Sequence, residues 1–150
     1  MKKKKIIVIL IIAIVSIFVK ERLIPSYSYI MDMNWNISLP VEAWCTEIYE
    51  KDSGSSFHGD GTRYHVFSYR NESSIDLMFE WSANSEEETI FHSSVLEAAT
   101  AWLDEIEVPE TERPNYEECF VWYTSKEDHS EVVFFWNPEV DRIYVVESFF

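Results

Sequence analysis

The chain has 150 residues, six of them tryptophan and three of them glycine, and it carries a formal net charge of −15. This length and aromatic content are typical of one folded domain and exclude an intrinsically disordered chain. The negative charge repels the phosphates of nucleic acids and of anionic lipids, so the sequence predicts no nucleic-acid partner.

The first 24 residues have the pattern of an export signal. Four lysines, Lys2 to Lys5, precede an uncharged apolar run from Ile6 to Val19. As a helix, these 14 residues span roughly 21 Å, which is short for a hydrocarbon core of about 30 Å. The run can continue through Leu23 and Ile24, and large residues stand where a cleavage site needs small ones, so we predict an uncleaved signal anchor over residues 1–24. In this prediction residues 6–24 form a transmembrane helix in the lipid bilayer, and the charges of Lys20 and Arg22 reach the interface.

The lysines also predict the orientation of the anchor. Because they precede the apolar run, the N-terminus should be cytoplasmic and the C-terminal domain extracytoplasmic, as in a single-pass protein of the cell membrane. The alternative is secretion after cleavage of the leader, but the nearest small residues are Ser26 and Ser28, well beyond the run. From Glu21 onward the chain has 27 acidic and seven basic residues, a net charge of −20.

Residues 25–34 lack an apolar period, and we interpret them as a tether to a domain over residues 35–150. At the start of this domain, residues 41–50 fit either a strand or a helix. All three glycines fall in the turn-rich residues 53–61, and residues 62–70 are rich in aromatic and β-branched side chains. These features predict a β-hairpin between residues 46–52 and residues 62–70.

Two helices follow the hairpin in the prediction. Residues 71–74 offer an N-cap for a short helix. The second helix begins at Ser93 or Ser94, stops at Val108-Pro109, and has helical spacing of the apolar residues Val95, Leu96, Ala99, Trp102, Leu103 and Ile106.

The last third of the chain has three strand-like segments joined by short polar turns, at residues 119–124, 131–136 and 142–149. Together with the hairpin they give about five antiparallel strands. The predicted fold is therefore an α+β domain, with two helices packed on one face of an antiparallel sheet, after an N-terminal transmembrane helix.

One glycine-flanked segment is a candidate site. His58 and Asp60, joined by His65, could bind a ligand or a metal ion of unassigned identity, or His58 and Asp60 could act as a base and its orienter. The alternative is a structural turn, in which Gly59 and Gly61 supply positive φ angles and Asp60 bonds to nearby amides.

The two cysteines, Cys45 and Cys119, have two possible roles. An exported domain could pair them in a disulfide closing a loop of 74 residues. Such a loop stabilises a fold by about 4 kcal/mol in the chain-entropy estimate. Alternatively, both are free thiols packed as small core residues.

The six tryptophans also have two possible roles. Trp102 and Trp136 occupy core-like positions, and core packing is the ordinary role of such residues. Two or more tryptophans exposed on one face would instead indicate a binding surface.

No G-x-S-x-G segment, Walker loop or H-E-x-x-H motif occurs in the chain. The sequence therefore favours a non-enzymatic binding protein without a cofactor. Its acidity serves either solubility alone or binding of a basic protein or peptide, and one version of the latter is an immunity-like protein that neutralises a cationic toxin. The alternatives are a small metal-dependent hydrolase centred on His58 and Asp60, and a purely structural envelope domain.

The segment Phe57 to Tyr64 has the pattern F-H-G-D-G-x-x-Y. With the lysine-rich leader and the C-terminal hairpin VVFFWNPEVDRIYVVES, it resembles small exported proteins of low-GC Gram-positive bacteria, a family of unknown function. This resemblance implies export and a single α+β domain, and it assigns no functional residue.

Overall fold

The computed structural model describes residues 27–54, 60–82 and 89–150, with only the backbone at residues 89–92. The chain divides into two units, residues 1–39 and residues 40–150. In the first unit, helix α1 spans Tyr27–Trp35, where the sequence predicted a tether. This stretch contains no glycine or proline that would break a helix, and its lack of an apolar period concealed it. The backbone then turns at Asn36, with φ of 55°, and the Ser38 hydroxyl donates to Asp32 Oδ1 at 2.8 Å.

The second unit is built on a five-stranded antiparallel sheet in the order β1-β2-β5-β4-β3. The α+β prediction of an antiparallel sheet with helices is thus confirmed. Both the hairpin and the C-terminal meander are present, and β5 joins them by pairing with β2 and with β4. The strands are β1 (Thr46–Asp52), β2 (Gly61–Ser68), β3 (Phe120–Ser125), β4 (Glu131–Asn137) and β5 (Arg142–Phe149).

Among the described residues between β2 and β3 are two α-helices, α2 (Glu72–Asp76) and α3 (Thr89–Glu105). Helix α3 begins before the predicted caps at Ser93 and Ser94, and it ends close to the predicted stop. Its C-terminus is a Schellman motif, in which the Val108 amide donates to the Leu103 carbonyl at 2.9 Å and the Glu107 amide to the Asp104 carbonyl at 3.0 Å. Glu107 takes the left-handed conformation with φ of 54°, a position where glycine is usual.

Helix α3 and one face of the sheet enclose the main hydrophobic core. The alternation of side chains along the strands sends every second residue to this face, where it meets the apolar stripe of α3. The core contains Tyr64, Val66, Val95, Ala99, Leu103, Ile106, Val108, Cys119, Val121, Val133, Phe135, Tyr144 and Val146.

The opposite face of the sheet carries an aromatic cluster. Phe79, which follows α2, stacks on Trp122 with ring centroids 4.0 Å apart and meets Phe134 edge-on at 5.0 Å. The ring centroids of Trp81 and Trp136 are 5.3 Å apart, and the indole N–H of Trp81 donates to the Ile75 carbonyl. The sequence placed both helices on one face, whereas the chain after α2 contributes to the second face because residues 79 and 81 are large aromatics.

All six tryptophans lie in the described part of the chain. Among them Trp44 is 69% exposed, and the others are half-buried or buried. The condition for a tryptophan binding surface, two or more exposed on one face, is therefore not met, and aromatic packing accounts for most of these residues.

Cys45 and Cys119 are free thiols. They directly precede β1 and β3, the two edge strands, so four strand spacings of about 4.8 Å separate them by roughly 19 Å. A disulfide needs Cα atoms about 4.4–6.8 Å apart, so of the two roles that the sequence left open the disulfide is not formed and the free thiols are observed. Burial raises the pKa of Cys45 to about 11 and that of Cys119 to about 12, which keeps both thiols protonated.

Among the described residues, no helix has the length and apolar character needed to span a bilayer. The predicted anchor over residues 1–24 lies outside the described part of the chain.

Candidate functional site

The glycine-flanked segment is described only from Asp60 onward, and His58 and Gly59 lie outside the described residues. Asp60 is exposed. Gly61 begins β2 with φ of 139°, and a Cβ there would overlap the Ser53 hydroxyl oxygen, which accepts from the Thr62 amide at 3.0 Å. Both observations support a structural role for Gly61 in the turn.

Asp60 and His65 are not neighbours in space. His65 is five residues further along an extended segment, which places the two Cα atoms roughly 16 Å apart at about 3.3 Å per residue. The site residues predicted from the sequence are therefore not brought together as one cluster by the part of the chain that is described.

His65 instead lies beside two glutamates of β1. Its Nδ1 atom is 2.5 Å from Oε1 of Glu47, and Glu50 is its direct partner in the β1–β2 register. The ligand-type atoms of Glu47, Glu50 and His65 all lie within 4.8 Å of one another. His65 is only 8% exposed, whereas both glutamates reach solvent. We call these three residues the histidine–glutamate cluster.

A β-bulge brings the two carboxylates to the same side of the sheet. Glu47 pairs with Phe67 and Tyr49 pairs with Val66, so Ile48 is an extra residue in β1. In a regular strand, residues three apart point to opposite faces. Because the bulge absorbs one residue, Glu47 and Glu50 both lie on the face that carries His65.

Burial sets the protonation state of the cluster. Desolvation lowers the pKa of His65 to about 4, although the carboxylates of Glu147 and Glu50 act in the opposite direction. Burial also raises the pKa of Glu47. The imidazole is therefore neutral near pH 7, and one of its ring nitrogens keeps a lone pair that can accept a proton or a cation.

No pattern in the sequence indicates this cluster. Simple alternation groups Glu47 with Cys45 and Tyr49 and assigns Glu50 to the other face. A bulge depends on the pairing of two strands and has no fixed motif, so only the observed register reveals that Glu47 and Glu50 share a face.

A second candidate site lies beside helix α3. An open groove of about 330 Å³ is lined by Thr100, Glu110, Arg113, Pro114, Asn115, Tyr116 and Glu117. Residues 104–118, which include most of this lining, contain seven acidic residues and a single basic residue. We call this feature the acidic groove.

Arg113 holds the acidic groove together. Its Nη1 atom is 2.6 Å from Asp104 Oδ1 and 3.6 Å from Glu110 Oε1, and its Nε donates to the Val108 carbonyl at 2.9 Å. The Arg113 side chain is 13% exposed. The one positive charge of this region is therefore occupied by internal contacts.

Helix α3 ends in negative charge. The C-terminal end of a helix carries partial negative charge and favours cations, yet its last turn holds Asp104 and Glu105 and no basic residue. Lys51 partly compensates, since its Nζ donates to the Glu107 carbonyl at 2.6 Å. Each unfavourable acidic side chain at such an end costs roughly 0.3–1 kcal/mol, so helix stability does not explain this arrangement.

No known protein family, curated protein or solved structure matches the chain. The histidine–glutamate cluster and the acidic groove are therefore the basis for inferring function.

Proposed function

We propose that the chain is a membrane-anchored, extracytoplasmic binding protein whose acidic domain engages a cationic protein or peptide. The acidic groove is the observation that carries this proposal. Its surroundings hold seven acidic residues, and their one basic residue, Arg113, is already paired. An immunity-like protein that neutralises a basic toxin is one concrete form of this function.

The groove offers complementary contacts for a lysine or arginine side chain. The Glu110 carboxylate is 88% exposed and Glu117 is also exposed, so both can pair with an incoming cation. The adjacent end of α3 adds partial negative charge. Tyr116 and Pro114 supply an apolar wall for the aliphatic stem of that side chain.

The rest of the domain favours encounter with the same class of partner. Residues 40–150 contain 25 acidic and six basic residues, a net charge of −19. A field of this sign accelerates the approach of a cationic protein, and salt screens it within about 10 Å at 0.1 M ionic strength. If the negative charge served solubility alone, a cationic partner would bind to no part of the surface in preference to another.

Neutralising the groove should weaken binding more than neutralising charge elsewhere. We expect the double variant Glu110→Gln/Glu117→Gln to bind an oligoarginine peptide at least about tenfold more weakly than the unmodified chain, a loss of about 1.4 kcal/mol. Fluorescence anisotropy of a labelled peptide, on the full chain in detergent micelles, measures this affinity. The matched control is Glu72→Gln/Glu127→Gln, which removes the same charge from exposed positions outside the groove.

Two outcomes would contradict the proposal that the acidic groove binds the cationic partner. Equal losses in the two double variants would mean that only net charge matters. Binding that is unchanged between low salt and about 1 M salt would mean that charge does not drive the interaction, because the screening length then falls to about 3 Å.

The anchor is supported by Lys2 to Lys5 and by the apolar run Ile6 to Val19. We expect the full chain, carrying a C-terminal tag in a bacterial host, to stay in the membrane after alkaline carbonate extraction. External protease should remove the tag from spheroplasts. The variant Ile11→Asp/Ile14→Asp should lose membrane retention, because each acidic residue at the centre of a span costs roughly 2.5–3.5 kcal/mol.

The matched control for the anchor is Ile11→Val/Ile14→Val, which keeps the run apolar. A shorter product in the medium would support secretion after cleavage instead. Full-length protein dissolved in the cytosol would refute both forms of export.

A further inference from the structure

We propose that Glu47, Glu50 and His65 form a binding site for a divalent transition-metal ion of the Zn²⁺ class. This site is separate from the acidic groove, and its failure would leave the proposed partner binding untouched. The two carboxylate oxygens and one imidazole nitrogen supply three ligands, and solvent can complete the coordination on the exposed side of the two glutamates.

The spacing of the three ligand atoms is close to that of a metal site. In a tetrahedral Zn²⁺ site with bonds of about 2.0–2.1 Å, neighbouring ligand atoms lie roughly 3.3 Å apart. Here the three ligand atoms lie within 4.8 Å of one another, and Nδ1 of His65 is 2.5 Å from Oε1 of Glu47. Small rotations of the two solvent-exposed glutamates would open the short contact and close the longer ones without moving the backbone.

The imidazole determines which class of cation the site prefers. Ca²⁺ and Mg²⁺ bind almost entirely to oxygen, whereas an imidazole nitrogen suits Zn²⁺ and its transition-metal neighbours. His65 lies on β2, between β1 and β5, and its ring stacks against Phe67 with centroids 6.3 Å apart. The nitrogen ligand is therefore fixed by packing, and the carboxylates are the mobile partners.

Strand β1 supplies more carboxylates beside His65 than a hydrogen bond to Glu47 alone would need. That bond needs one carboxylate, yet the bulge at Ile48 places a second carboxylate on the same side. Within the described part of the chain, the Glu50 carboxylate makes no hydrogen bond or ion pair of its own. Buried Glu147 lies diagonally across the β2–β5 pairing from His65 and adds negative potential that favours a cation there.

Titration of the full chain with Zn²⁺ tests this site. The protein is kept in detergent micelles, carries no histidine tag, and is measured by isothermal titration calorimetry with about 1 mM Mg²⁺ present to occupy weak oxygen-only sites. We expect one Zn²⁺ per chain. The variant Glu47→Gln/Glu50→Gln should bind at least about 100-fold more weakly, because even residues that only support a metal ligand contribute about 10–100-fold.

Two further measurements make the result specific to this site. The control Glu72→Gln/Glu127→Gln removes two exposed carboxylates elsewhere and should bind Zn²⁺ as the unmodified chain does. Co²⁺ should give the intense visible absorption of a tetrahedral complex, and this absorption should be lost in Glu47→Gln/Glu50→Gln.

The proposal is overturned if Zn²⁺ binds without saturation, or if it binds equally well to Glu47→Gln/Glu50→Gln, since the ion then lies elsewhere on the acidic surface. If the double variant fails to fold, Glu50→Gln alone decides the question, because Glu50 is exposed and its removal breaks no hydrogen bond. An affinity of Glu50→Gln within about twofold of the unmodified chain would reject a three-ligand site.

Discussion

Replacing Phe135 with alanine should lower the free energy of unfolding by about 3–5 kcal/mol. Phe135 lies on β4, is completely buried in the core beneath α3, and packs against Tyr116 with tilted rings whose centroids are 5.0 Å apart. Removal of the ring loses the free energy of burying it and leaves a cavity that the sheet and α3 cannot close by moving together. Urea unfolding measures this loss, and Phe150→Ala, the same change at an exposed position, should alter stability by no more than about 0.5 kcal/mol.

The same substitution should also weaken the acidic groove. Tyr116 lines the groove, and Phe135 supports its ring from within the core. Under conditions where Phe135→Ala is still folded, we therefore expect weaker binding of oligoarginine. A loss of stability below about 1 kcal/mol would show that the core repacks around the missing ring, and it would remove this link between core and groove.

Much of the fold could be predicted because local pattern and final environment agree. In α3, Val95, Ala99 and Leu103 recur at helical spacing, and all three are buried against the sheet. The last three strands are apolar segments separated by turns rich in polar residues, and each strand formed within one or two residues of its predicted limits. The apolar patterns of α3 and of the last three strands are clear because these segments supply a large share of the core.

The parts that could not be predicted depend on contacts distant in sequence. Helix α1 has no apolar period, so nothing in its sequence distinguishes it from a tether. The contribution of Phe79 to the second face of the sheet depends on Trp122 and Phe134, which lie more than forty residues later in the chain. Separation of Cys45 from Cys119 follows from the strand order, because the two cysteines precede opposite edges of the sheet.

The candidate sites show the same division. His65 could be selected from the sequence, but its actual neighbours, Glu47 and Glu50, depend on a bulge in the β1–β2 pairing. Acidity of the chain was evident from composition, whereas its concentration around a groove depends on how residues 108–118 fold back along α3. In both sites the sequence identified the ionisable residues, but not which of them lie next to one another in the fold.

Folding of the acidic segment against α3 depends on hydrogen bonds from side chains as well as on apolar contacts. Lys51 donates to the Glu107 carbonyl at 2.6 Å, and the Tyr64 hydroxyl donates to the Glu112 carbonyl at 2.5 Å. Arg113 adds its contacts to Asp104 and to the Val108 carbonyl. Three side chains thus fix a strongly negative segment in place, while the Glu110 and Glu117 carboxylates remain exposed to solvent.

Substitution of Arg113 should therefore distinguish the contribution of groove geometry to partner binding from that of net charge. We expect Arg113→Gln to destabilise the domain by about 2 kcal/mol, because hydrogen bonds to charged groups contribute roughly 1.5–3 kcal/mol. Arg113→Lys should not restore this stability, since a single ammonium cannot serve both the Asp104 carboxylate and the Val108 carbonyl in the geometry of the guanidinium. Urea unfolding of both variants measures these effects.

Binding gives the sharper result, because the two explanations predict opposite signs. Arg113→Gln makes the chain one unit more negative, so attraction by net charge alone would tighten binding of oligoarginine. We expect weaker binding instead, because the groove loses the side chain that holds Asp104 and Glu110 in place. The control Arg70→Gln changes the net charge equally at an exposed position, and equal tightening of binding in Arg113→Gln and Arg70→Gln would show that the groove has no specific role.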